Sequence, residues 1–173
     1  MRKIPILIMA MLLVSCDLPL ESDAIESGGP LQTDRSEYEL RRTDQRLEVE
    51  IPFTYTNVTG ETVFVVHCDG IAPPSLEKRV DDRWVHAWSA VVPQCLSEPI
   101  EIGPGATYAD TLVVYAGLPT TRLAPQFQVA PVDGVYRLVW HSVVHDYDAD
   151  RPGFGEPLEL AYRVSNSFVL KED

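Results

Sequence analysis

Cysteine, aromatic residues and basic charge are all scarce in this 173-residue chain, which has three cysteines, 9% aromatic residues, and 14 Lys and Arg against 26 Asp and Glu. This composition speaks against a collagen-like, coiled-coil or polytopic membrane protein. A net charge of −12 with no Lys/Arg cluster excludes nucleic acid as a partner, because affinity for a polyphosphate comes chiefly from clustered cations. The apolar run Ile4–Val14 has eleven residues. As a helix it would span about 16 Å, half of a bilayer core of about 30 Å, so a permanent transmembrane helix is not expected. Enzyme signatures are missing as well: there is no Gly-x-Ser-x-Gly elbow, no phosphate-binding glycine loop and no His-Glu-x-x-His pair. An enzyme is therefore not expected. What is present is 45% hydrophobic residues, enough for the core of one ordinary domain.

The amino terminus has the anatomy of a signal peptide. Met1-Arg2-Lys3 supplies positive charge, Ile4–Val14 is apolar apart from Pro5, and Ser15-Cys16 closes the run. Leu13-Val14-Ser15-Cys16 resembles the lipobox of bacterial lipoproteins. The resemblance implies cleavage after Ser15 and a thioether-linked diacylglyceryl group on Cys16, so residues 1–15 are expected to be a lipoprotein signal peptide. Two or more acyl chains hold a protein on a membrane where one does so only marginally. Loss of Arg2 and Lys3 leaves 12 basic against 26 acidic side chains, a net charge of −14. An anionic lipid surface repels such a chain, so the lipid on Cys16 must be the anchor. Asp17 resembles an inner-membrane retention signal of enteric bacteria, a rule that differs elsewhere, and the choice of inner or outer membrane is left open.

Residues 16–35 contain acids, Ser, Gly and Pro without apolar periodicity, as expected of a disordered tether. The folded domain is expected over 36–173. Leu47, Val49, Ile51, Phe53 and Tyr55 alternate with polar residues, the period of a half-buried strand. Asn57–Gly60 reads as a turn joining it in a hairpin to Thr62–Cys68, and Pro52 suggests an edge or a bulge. Leu76–Val80 and Arg83–Trp88 flank Asp81-Asp82 at hairpin spacing. Further strands are expected at Glu37–Arg41, Thr107–Tyr115 and Val135–Val144. A long last strand is expected over Leu158–Leu170, broken near Ser165–Ser167. The expectation is an all-β, antiparallel sandwich of about eight strands. Ile102–Tyr108 and Asp133–Leu138 resemble turn-to-strand segments of bacterial immunoglobulin-like domains. With Arg83-Trp84-Val85 and the lipobox, the chain resembles bacterial envelope lipoproteins of no assigned activity. The resemblance implies an immunoglobulin-like sandwich and carries no catalytic residue. The Cys-Trp-Cys spacing of antibody domains is lacking.

With Cys16 lipidated, Cys68 and Cys95 remain, and an exported chain with an even number of thiols is expected to pair them. Trp84, His86 and Trp88 share one parity. Exposed, they would form a sugar-stacking face; the apolar Val85 and Ala87 on the other parity favour core packing instead. Asp146, Asp148 and Asp150, with Glu156 beyond, resemble the opening of an EF-hand loop and so pose the question of calcium. Arg151 stands where that loop needs glycine and Pro157 where it needs its last acid, and the favoured reading is a solvated acidic turn. His141 and His145, four apart on an expected strand, would stand about 13 Å apart, too far for one zinc ion. No cofactor is expected. The functional expectation is a lipid-anchored, extracytoplasmic binding or structural interaction module of the cell envelope, its partners the membrane and an envelope protein or polysaccharide. A carbohydrate-binding domain using the aromatic strand is the alternative.

Overall fold

The computed structural model describes residues 29–92, 95, 97–119, 121–148 and 155–173. The signal peptide, Cys16 and most of the expected tether lie outside them. The regular structure of the described chain is nearly all strand: β1 (Leu31–Thr33), β2 (Glu37–Arg42), β3 (Arg46–Thr56), β4 (Val63–Val65), β5 (Ser75–Val80), β6 (Arg83–Trp88), β7 (Ile100–Ile102), β8 (Thr107–Gly117), β9 (Gly134–Val139), β10 (Val143–Val144) and β11 (Phe168–Glu172). An eight-stranded sheet runs β1-β3-β2-β11-β9-β5-β6 with β8 on the other flank of β3, and a three-stranded sheet runs β10-β4-β7. The result is an all-β sandwich, as the alternating pattern led one to expect.

Strand β2 is where the large sheet turns. Glu37–Leu40 pair in parallel with β11, and Arg41 and Arg42 pair antiparallel with β3. Leu47, Val49, Ile51, Phe53 and Tyr55 are buried on one side of β3, facing a core that includes Leu76, Trp88, Tyr136, Leu138, Trp140, Phe168 and Leu170. Trp140 gathers Phe53, Tyr55 and Tyr108 at ring distances of 5.3 to 5.5 Å. Each such buried side chain contributes about 1.5 to 3 kcal/mol. Among the described residues no helix is long and apolar enough to cross a membrane.

Four local expectations are corrected and one, the second below, is refined. First, β3 and β4 form no hairpin. Asn57 is buried and its side-chain nitrogen donates to the carbonyls of Glu61 and Ile102 at 2.8 and 2.7 Å, while its oxygen accepts from Thr59 N–H at 2.9 Å. That hub sends the chain to a separate sheet, where β4 pairs with β7 and β10. Second, β3 is paired by β1 and β2 at its two ends on one flank and is open between them, the local edge that Pro52 suggested, with no bulge. The Pro52 carbonyl accepts from Asp34 N–H at 3.3 Å, on the flank where β1 has ended and β2 has not begun. A strand residue's N–H and C=O point the same way, so the missing donor falls in that gap and the β3–β8 ladder is intact. Third, Leu31–Thr33 belong to the sheet rather than the tether, because Leu31 is buried and paired with Tyr55. Fourth, Val135–Val144 is two strands, since Trp140 N–H turns to Arg163 O at 2.8 Å and its indole nitrogen to Ala72 O at 2.6 Å. Fifth, the last strand is short: Leu160–Tyr162 form a 3-10 turn before β11. With β1, β7 and the split, eleven strands among the described residues replace about eight.

Candidate functional site

The β5–β6 hairpin forms as its spacing suggested, with Asp81 and Asp82 both at positive φ, 47° and 59°, the backbone of a type I′ turn. The register then slips between Leu76 and Glu77, so that Leu76 faces Trp88 but Glu77 faces His86, leaving Ala87 as an extra residue. A one-residue bulge moves the side chains beyond it to the opposite face. Trp84 and His86 therefore stay on the outer face, while Trp88 enters the core at 1% exposure. The shared aromatic face is not formed, and the sugar-stacking arrangement loses one of its two indoles.

What the outer face carries instead is a polar stack. The Arg137 guanidinium lies 4.5 Å over the Trp84 ring, and its Nε and Nη2 donate to Glu77 Oε2 at 2.8 and 2.7 Å. Arg137 is buried and satisfied by this pair, so removing one partner would strand the other's charge. His86 Nε2 and Ser89 Oγ are 3.2 Å apart at the rim of an open depression of about 490 Å³ that Arg122 and Gln126 also line. A serine-histidine pair needs a carboxylate to orient the ring. Glu77, the register partner of His86, directs its carboxylate to Arg137. Nearby, His141 Nδ1 meets Arg163 Nη1 at 2.8 Å; desolvation and that guanidinium hold the imidazole pKa below its ordinary value.

Cys68 and Cys95 are joined, with Cα atoms 5.1 Å apart, inside the range a disulfide spans. The bond ties the segment after β6 to the end of β4, helped by Ser97 N–H to His67 O at 3.1 Å and Asp69 N–H to Ser97 Oγ at 3.0 Å. Asp69 brings a carboxylate beside the two sulfurs, but joined sulfurs offer no thiolate to a metal.

Of the acidic loop, residues 145–148 and 155–156 are described. Asp146 Oδ1 accepts the Glu156 main-chain N–H at 2.9 Å, and Gly155 crosses so close to the Asp146 carbonyl that no Cβ would fit. Asp150 lies outside the described residues. Among those described, Asp146, Asp148 and Glu156 do not converge as a metal-ligand group, and Asp146 is already engaged as an acceptor.

Two features escaped sequence reasoning. Tyr136 is buried and its hydroxyl donates to Val132 O, a contact no periodicity reveals. Strand β8 carries Val113 and Tyr115 on its outer face at 59% and 45% exposure, with the Arg46 guanidinium 4.4 Å over the Tyr115 ring. The signal for the second was present in Leu112–Tyr115, apolar on both parities, but its partner strands were not.

No protein-family model, curated protein or solved structure matches this chain.

Proposed function

We propose that this chain is a lipid-anchored, extracytoplasmic sandwich of immunoglobulin-like topology that serves as an interaction module of the bacterial cell envelope. The observation that carries this reading is the Cys68–Cys95 bond: such bonds persist in oxidising compartments, which agrees with export through the Leu13-Val14-Ser15-Cys16 junction. The topology is supported by β1 pairing antiparallel with β3 while β2 runs parallel to β11. It is supported again by the Tyr136 hydroxyl, which bonds back to main chain four residues upstream near the start of β9, as in a tyrosine corner. An interaction role is favoured by the apolar pair Val113 and Tyr115 on the outer face, since exposed apolar patches on a charged surface mark contact sites.

Metabolic labelling with an alkyne fatty acid tests the anchor. Label on the native chain that disappears in Cys16→Ser is the expected result; equal label on both refutes the lipidation and with it the membrane-bound part of the reading.

A further inference from the structure

Strand β8 has a bare edge. Its ladder with β3 is unbroken over eleven residue pairs, whereas on the other flank, among the described residues, main chain is bonded only at its end. There Gly117 N–H donates to Pro125 O at 2.8 Å and Gly117 O accepts from Phe127 N–H at 3.2 Å; apart from these main-chain bonds, the flank's Thr111 N–H is held by the Asp110 side chain. Since main-chain groups alternate sides along a strand, Ala109, Thr111, Val113 and Tyr115 point theirs outward as Gly117 does. Native edges are normally blunted by lysine, proline, bulges or short length. This one has eleven residues, no bulge and one charge, Asp110. Asp110 Oδ1 accepts the Thr111 N–H at 2.7 Å, which makes it the edge's single guard.

We infer that this edge pairs with the same edge of a second copy of the chain, antiparallel and with Thr111 opposite Val113. Outward main-chain donors and acceptors at two-residue spacing fit only another extended strand, and the side chains of β8 fit its own. In this register Tyr115 lies opposite Ala109 on the outer face and Tyr108 opposite Ala116 on the inner one, a large residue against a small one each time, while Val113 meets the similarly sized, β-branched Thr111. Asp110 lies opposite Val114, so the two carboxylates stand four residues apart. Sliding the copies two residues toward Thr107 would bring them to a diagonal of about 7 to 8 Å, where like charges repel. The inference rests on the interaction-module reading and names its partner.

A pair of strands covers less than the roughly 1,000 Å² of a stable interface, so cross-linking is the sensitive readout. In the full-length chain carrying Thr111→Cys with Val113→Cys, both side chains exposed, a covalent dimer is expected on a non-reducing gel, dissolved by reductant. Arg83→Cys on β6 should give none. Hydrogen-bonded pairs put Cα atoms about 5.5 Å apart, within disulfide reach. Sedimentation of the concentrated protein gives a second test: Val113→Lys should weaken association about tenfold, and Asp110→Ala should strengthen it. A double-cysteine chain that stays monomeric with a native melting curve overturns the inference, as does association that ignores both Val113→Lys and Asp110→Ala. If Val113→Cys instead links to a different envelope protein, the self-pairing falls and the interaction-module reading stands; if β8 links to nothing in cells, both fall.

Discussion

Strands β6 and β8 both end the eight-stranded sheet, each bonded along one flank, yet they treat that exposure in opposite ways. β6 has six residues, a bulge at Ala87, the charge of Arg83, the rings of Trp84 and His86, and the Ala87 carbonyl covered by Gln128 N–H at 2.8 Å. β8 has eleven residues in straight register and one carboxylate. The same bulge that twists β6 away from neighbours also turns Trp88 into the core, so protecting that edge and building the core are one structural event. At β8 the inner residues Leu112, Val114 and Ala116 build the core without disturbing the ladder, and the edge stays available. The difference separates a structural edge from an interaction edge in one sheet.

The sharpest break of this comparison is at the indoles. Trp88→Ala is expected to cost about 3 to 5 kcal/mol, against about 1 kcal/mol for Trp84→Ala, which loses mainly a half-buried stack on Arg137; thermal melts followed by circular dichroism would show the gap. Equal losses would mean that β6 carries both rings on one face after all. Removing the loop restraint beside β6, by Cys68→Ser with Cys95→Ser, is expected to cost about 3 to 4 kcal/mol for a separation of 27 residues on the chain-entropy model. Denaturant midpoints would measure it, and β8 association should not change.

Legibility followed the range of the determining contacts. The parity of Leu47–Tyr55 and the Asp81-Asp82 turn are set by near neighbours and were readable. Ala87 is not: nothing in Trp-Val-His-Ala-Trp marks which residue will be skipped, because the slip is decided where Leu76 meets Trp88 across the strand pair. The fate of Asn57 is likewise set by Ile102, far along the chain. For the same reason Trp84, His86 and Trp88 could be named as a group but not assigned faces, whereas the pairing of Cys68 with Cys95 needed only their count.

A smaller effect concerns Tyr136, whose hydroxyl ties the turn before β9 to the sheet that ends in β6. Tyr136→Phe is expected to cost about 1 kcal/mol, more if Val132 O is left unpaired, read from the same melts. Smaller again is a pH response from His141. Its folded-state pKa lies below the ordinary 6.5, so the unfolded chain takes the proton first. Stability from this site is full above about pH 6.5 and falls as the pH drops below it, until the folded site protonates. Melting temperature should decline over that window, and His141→Gln should flatten the decline; an unchanged profile would contradict the assignment.

Residue-resolved hydrogen exchange on dilute and concentrated protein compares the two edges most directly. The amides of Val113 and Tyr115 should exchange quickly when dilute and slow down when concentrated, while Leu112 and Val114, bonded into the β3 ladder, stay slow at both and β6 shows no dependence on concentration. Slow exchange at Val113 and Tyr115 in dilute solution, or the same rates at both concentrations, would contradict a free β8 edge that pairs with its own copy.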